Sequence, residues 1–259
     1  MKSPSRLLTI LIVLATALHT TSVQALDARR SAYAKLITGK FAHAKTPIAN
    51  DGLPLWLFAP KKLASGKKKY PLLICLHGRR NKAKPGDVFR PQAIATPWTK
   101  PNVQKANPCF VVQPYYPPKG GWEKIPEQLD ATITHLVNNL PIDPQRIYLL
   151  GFSNGGQGTF QTLARQPHTY AAAITISGPV PAKPLLGKIK APIRSWVGEN
   201  DNDLNKRKRC ISLAKALRAD GVDIELKVVA GAGHSCHGVA TSDPEVRDWL
   251  FNQKLIKSQ

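Results

Sequence analysis

The sequence predicts one α/β domain with a mostly parallel central sheet and helices on both faces. Three observations carry that prediction. Short continuous apolar runs, such as Leu72-Leu73-Ile74-Cys75-Leu76 and Cys109-Phe110-Val111-Val112, have the composition of strands buried on both sides. Segments with helical periodicity alternate with those runs, the order that builds parallel sheets through crossover helices. No repeat, low-complexity tract or long linker divides the 259 residues, so one domain is the economical reading.

The elements follow in chain order. Residues 27–40 read as a short helix, and residues 41–60 as two strands around the turn Asn50-Asp51-Gly52. Pro71 to Leu76 is a buried strand that runs out into His77-Gly78-Arg79-Arg80, and the strand at Cys109–Val112 leads into a proline- and aromatic-rich loop ending at Trp122. From Pro126 to Leu140, the residues Leu129, Ile133, Leu136, Val137 and Leu140 fall on one face of a helix. Pro141 to Pro144 reads as a turn, Arg146 to Leu150 as a strand, and Gly156 to Gln166 as a helix stopped by Pro167. Strands at 171–177 and 192–197, a helix over 204–220 and an alternating strand at 224–230 come next. The last helix opens at Ser242-Asp243-Pro244-Glu245, where Ser242 and Glu245 have capping-box spacing.

The first 25 residues have the layout of an export signal. Lys2 and Arg6 precede the apolar stretch Leu7 to Leu18, and Val23-Gln24-Ala25 is a small-residue cleavage site. That stretch is shorter than the roughly 20 residues a membrane span needs. The expectation is a secreted or periplasmic protein whose single domain occupies residues 26–259. The formal charge is +21, and loss of the signal, which carries Lys2 and Arg6 and no acid, leaves +19. Such a balance favours anionic surfaces and polysaccharides. No zinc-finger spacing, aromatic RNA-binding run or basic helix with interleaved aromatics points to nucleic acid.

The chemistry centres on Gly151-Phe152-Ser153-Asn154-Gly155, set between a strand and a helix. A strand that turns sharply into a helix holds the serine in a strained conformation, and glycines two residues either side avoid collision. Ser153 is the candidate nucleophile, and the N–H of Asn154 is a candidate oxyanion donor. A serine hydroxyl needs a base within hydrogen-bond reach, and the base needs an orienting carboxylate. Both belong in loops at the carboxyl ends of later strands, acid before histidine. The strand ending at Val197 leads to Glu199, Asp201 and Asp203, and the strand ending at Ala230 leads to His234. His237 competes with His234, which has the glycine-flanked position directly after its strand. The N–H of Arg79, after the His77-Gly78 pair, is a candidate second oxyanion donor, and His77 itself reads as a packed side chain.

These segments resemble the α/β-hydrolase superfamily, in particular its secreted predicted-peptidase or polyhydroxybutyrate-depolymerase-like esterases, with prolyl-oligopeptidase-like and dienelactone-hydrolase-like kin. The resemblance rests on Pro71–Gly78, Ile142–Gly158, Gly198–Asp201, Gly231–His234 and Ser242–Leu250. It implies an α/β-hydrolase fold without a large lid. It also implies Ser153 as nucleophile, Asp201 as acid and His234 as base, acyl-enzyme chemistry on a carboxylic ester, and no metal or organic cofactor. A serine peptidase with the same three residues is the alternative, and a non-catalytic surface- or polysaccharide-binding relative is the alternative from another class.

Two departures concern the substrate. Arg79-Arg80 stands where relatives carry small residues, and Lys206-Arg207-Lys208-Arg209 follows the acid loop. Both clusters lie after strands on the site side, so a cationic mouth selecting anionic or polysaccharide-linked esters is expected, with a scattered basic surface as the alternative. Arg79, Arg80 and Trp122 are the candidate substrate contacts. Cys210 and Cys236, on the acid and base sides, are candidates for a disulfide clamping the two loops.

Overall fold

The computed structural model describes residues 38–45, 52–63, 68–79, 90–116, 120–201 and 205–255. The signal, Arg80, Asp203 and the tip of the first hairpin lie outside those residues. The eight strands are β1 (Phe41–Lys45), β2 (Pro54–Phe58), β3 (Tyr70–Leu76), β4 (Phe110–Pro114), β5 (Ile142–Phe152), β6 (Ala172–Ile176), β7 (Ile193–Gly198) and β8 (Ile224–Val229). They form one sheet in the order β1-β2-β4-β3-β5-β6-β7-β8. The pairings β1–β2 and β2–β4 are antiparallel, and every pairing from β4 through β8 is parallel.

The helices are α1 (Pro101–Ala106), α2 (Pro126–Asn139), α3 (Asn154–Arg165), α4 (Lys206–Ala219), α5 (His237–Ser242) and α6 (Pro244–Asn252). Strand pleating sends alternate residues to opposite faces. On one face Leu73, Cys75, Val111, Tyr148, Ile174 and Trp196 pack with Trp98, Val246 and Leu250 into a continuous core. The Tyr148 hydroxyl donates to the Gln253 carbonyl at 2.9 Å and anchors the end of α6 there. The alternate residues Leu72, Ile74, Leu149 and Ala173 are equally buried. On the other side α2 and α3 lie against β5, and α4 lies against β7 and β8. Burying each large aliphatic side chain in this way stabilises the fold by about 2 kcal/mol.

Three local expectations are corrected, and one helix had not been foreseen. Thr38 forms a parallel bridge with Ala59, so residues 38–40 are not helical. Of the turn expected at Pro141–Pro144, residues 142–144 belong to β5, because Tyr70 on β3 donates to the Pro141 carbonyl and pairs with Ile142 before the register shifts. α1 was not expected, since it is short and buries a single residue, Val103. Ser242 ends α5 instead of capping the last helix. Asp243 caps α6 by accepting the Glu245 N–H at 2.9 Å, one residue nearer Pro244 at the first turn.

Because the central strands are parallel, their carboxyl ends gather at one edge of the sheet. The loops after β3, β5, β6, β7 and β8 therefore face one another.

Candidate active site

Ser153 sits between β5 and α3 with φ 56° and ψ −115°, a backbone conformation costly for a residue with a side chain. The flanking glycines make it sterically accessible. A Cβ on Gly151 would stand 2.1 Å from the Gly155 carbonyl oxygen, and one on Gly155 would stand 1.9 Å from the Leu76 carbonyl oxygen. The Ser153 N–H is fixed by the Ile176 carbonyl at 2.7 Å.

The fold brings Ser153, His234 and Asp201 into one hydrogen-bonded chain. His234 Nε2 lies 2.9 Å from Ser153 Oγ, and His234 Nδ1 lies 2.9 Å from Asp201 Oδ2. The Asp201 side chain is fully buried, whereas that of His234 is 32% exposed. Such an arrangement can draw the proton from a serine hydroxyl and stabilise the imidazolium that forms. The loops are joined to one another: the N–H of Asn200 donates to the Ala232 carbonyl at 2.8 Å, and the N–H of Gly231 donates to the Glu199 carboxylate at 2.8 Å. Glu199 thus ties down the base loop and does not meet His234. His237 packs edge-on against Phe152, whose other neighbour is the His234 ring. Burial, and then the neighbouring His234, push its pKa below the usual histidine range.

Asn154 opens α3, so its N–H is among the first-turn donors that have no acceptor within the helix. Its side chain is held as well: the Tyr116 hydroxyl donates to Oδ1 at 3.0 Å, and Nδ2 donates to Gln157 Oε1 at 3.3 Å. The His77–Arg79 turn lies over the serine, since a Cβ on Gly78 would come within 3.4 Å of Ser153 Cβ. The Arg79 side chain is exposed beside it.

Trp122 corrects an expectation. It is 2% exposed and donates its indole N–H to the His77 carbonyl at 3.0 Å. With Tyr116 stacked on the His77 ring, it braces the turn from behind, where a substrate would not reach it. The expected clamp between Cys210 and Cys236 is also absent: both thiols are free and buried. Burial, followed by the charge of Asp201, pushes Cys210 up to about 12, so it stays protonated at neutral pH. Cys236 instead has its Sγ 3.8 Å from the Ser177 hydroxyl.

Sequence reasoning missed Ser177. It follows β6 with φ 50°, and its Oγ donates to the His234 carbonyl at 3.1 Å, fixing the base loop from beneath. A serine tolerates a positive φ at a strand end without any change of residue type that a sequence pattern could reveal, so no pattern announced it.

An open, mostly parallel eight-stranded sheet flanked by helices, with its loops gathered at one edge, is an α/β-hydrolase fold. Residues 117–246, about half the chain, match the dienelactone hydrolase family, and the chain belongs to that family of hydrolases. It superposes on a thermostable esterase with a TM-score of 0.72 at 26% identity, over 83% of this chain and 63% of the esterase. It is 37% identical over 90 residues to acyl-protein thioesterase 1 homolog 2 of Dictyostelium discoideum, covering 33% of this chain and 40% of that protein. The dipeptidyl peptidase 4 of Porphyromonas gingivalis shares the fold, with a TM-score of 0.63 at 16% identity over 83% of this chain and 35% of the peptidase.

Proposed function

We propose that this protein is an exported serine hydrolase that cleaves carboxylic esters through an acyl-enzyme intermediate. The observation that carries the reading is the chain from Ser153 Oγ through both nitrogens of His234 to Asp201, with 2.9 Å at each step. Ser153 Oγ attacks the acyl carbon as its proton passes to His234 Nε2. The N–H groups of Asn154 and Arg79 hold the oxyanion. Collapse of the tetrahedral intermediate breaks the ester C–O bond, and His234 returns the proton to the departing alcohol. Water, deprotonated by His234, then releases the acid and restores Ser153. Asp201 keeps Nδ1 protonated throughout.

Ester rather than peptide chemistry is supported by the esterase at 26% identity and by the thioesterase relative. The segments around Ser153 and His234 favour the polyhydroxybutyrate-depolymerase-like esterases within the superfamily. Export rests on the pattern Lys2, Arg6, Leu7 to Leu18 and Val23-Gln24-Ala25.

The test is to label the protein with a fluorophosphonate and to profile p-nitrophenyl esters against peptide amides. Labelling of Ser153 with turnover of esters alone is expected. No labelling would overturn the enzyme reading, and turnover of amides alone would assign a peptidase.

Tyr116→Phe supplies a second check. The hydroxyl that fixes the Asn154 side chain is lost while the ring stays stacked on His77. Losing one such hydrogen bond costs about 1 kcal/mol, so kcat should fall about fivefold with little change in KM. An unchanged kcat would show that Asn154 needs no such support.

A further inference from the structure

The sheet ends on β8. Ile193 donates to the Asp223 carbonyl at 2.7 Å and Glu199 to the Val229 carbonyl at 2.9 Å, so the odd-numbered residues of this strand turn their backbone groups toward β7. The N–H and C=O groups of Ile224, Leu226 and Val228 therefore point outward. Among the described residues one bond reaches that edge, from the Arg218 guanidinium to the Ile224 carbonyl at 2.9 Å. An open edge of this kind is a template for another strand. The strand carries no proline to blunt it, and Val228 is 41% exposed. Ile211, exposed on α4, lies two helical turns before Arg218 on the same stripe, so an apolar side chain flanks the edge that Arg218 reaches.

The charges on β8 select the occupant. Glu225 and Lys227 lie on one face of the strand, and both are exposed. Arg194 Nε holds the Glu225 carboxylate at 2.9 Å, and the Arg194 guanidinium lies over the Trp249 ring, 4.6 Å from its centroid. The carboxylate is thus fixed in place while the Glu225 side chain stays 65% exposed. Two antiparallel copies of β8 must set outward residue against outward residue, which leaves few registers with good overlap. Leu226 against Val228 puts Lys227 opposite Lys227. Ile224 against Leu226 puts Glu225 opposite Glu225. With Leu226 opposite Leu226, each Glu225 faces a Lys227, twice about one twofold axis, and Val228 lies against Ile224. Those unlike pairs fall at the non-hydrogen-bonded positions, where side chains approach most closely.

We propose that β8 pairs with β8 of a second copy of this chain in that register, joining the two sheets into one. The twofold axis reverses the second copy, so the two serine sites open at opposite edges of the joined sheet and neither blocks the other. The pairing stands apart from the reaction, since it uses no residue of the site.

Sedimentation of the full chain from micromolar to near-millimolar concentration, with salt to screen its net positive charge, should show a monomer–dimer equilibrium. Lys227→Glu sets Glu against Glu and should raise the dimer Kd about tenfold or more. Lys105→Glu makes the same charge change on α1, which leads into β4 far from β8, and should leave the dimer as tight as in the wild type or tighter. Glu225→Lys sets Lys against Lys and should weaken the dimer as well. Mixed together, Lys227→Glu and Glu225→Lys restore both unlike pairs, so a heterodimer near wild-type affinity is expected from two chains that each self-associate weakly. Val228→Pro removes an outward N–H without touching the bonds to β7 and should also weaken the dimer. Thermal midpoint and ester turnover near wild type show that a variant is folded, and Lys227→Glu, a change at an exposed side chain, decides the matter if Glu225→Lys does not fold. A wild-type chain that stays monomeric throughout overturns the proposal and leaves the edge to a strand of another protein. A dimer that survives both Lys227→Glu and Val228→Pro unchanged overturns it too.

Discussion

Ser153→Ala should abolish ester turnover and fluorophosphonate labelling together, with kcat about 10⁶-fold lower. The fold should survive, because among the described residues the serine hydroxyl bonds to His234 alone, whose ring stays fixed by Asp201 and packed on Phe152. A companion variant separates chemistry from strain. Ser153 holds φ 56° and ψ −115°, and alanine inherits that conformation at the same cost. Glycine adopts it freely, so Ser153→Gly should be equally inactive yet more stable than Ser153→Ala by about 1 kcal/mol, after its greater unfolded-state freedom offsets part of the relief. Thermal unfolding of the two variants measures the difference. Residual kcat in Ser153→Ala within about tenfold of wild type would remove the serine from the mechanism.

What could be read from the sequence, and what could not, divides along chain distance. The apolar runs at Leu72–Leu76 and Cys109–Val112 announced buried strands because burial on both faces needs uninterrupted hydrophobicity. The glycines of Gly151–Gly155 announced the elbow because no side chain fits against the Leu76 carbonyl. Asp201 and His234 were legible as candidates because parallel strands deliver their loops to one edge, whatever the sheet order. The supporting contacts had no such rule. Tyr116 meets Asn154 across 38 residues, Trp122 meets His77 across 45 and Ser177 meets His234 across 57. Each depends on which strands are neighbours and at what register, and composition does not encode that. The basic run at Lys206–Arg209 shows the same limit. Helical geometry, not charge, decides that Lys206 is buried, that Arg207 turns to Glu199 and that Lys208 and Arg209 stay exposed. Proximity in the fold also does not make a bond: Cys210 and Cys236 flank the two loops as expected and remain thiols.

Asp201→Asn should cost about 10⁴-fold in kcat while leaving KM and the thermal midpoint near or above wild type. The Asp201 side chain is fully buried, and its Oδ2 contacts His234 Nδ1 at 2.9 Å. Among the described residues its Oδ1 has no hydrogen-bond partner, so removing the charge relieves a buried carboxylate that the fold only half satisfies. The loss in rate comes from the tautomer. An ionised carboxylate only accepts, which keeps the hydrogen on Nδ1 and leaves Nε2 free to take the serine proton. The amide of asparagine can donate to Nδ1 instead, placing the hydrogen on Nε2 and pointing a donor at Ser153 Oγ. Glu199→Gln is the matched control for the acid assignment. That carboxylate accepts the Gly231 N–H at an exposed position, a contact an amide oxygen can keep, so kcat should change less than about tenfold. Rates for both variants on one p-nitrophenyl ester decide the matter: Glu199→Gln as damaging as Asp201→Asn would move the acid role to Glu199.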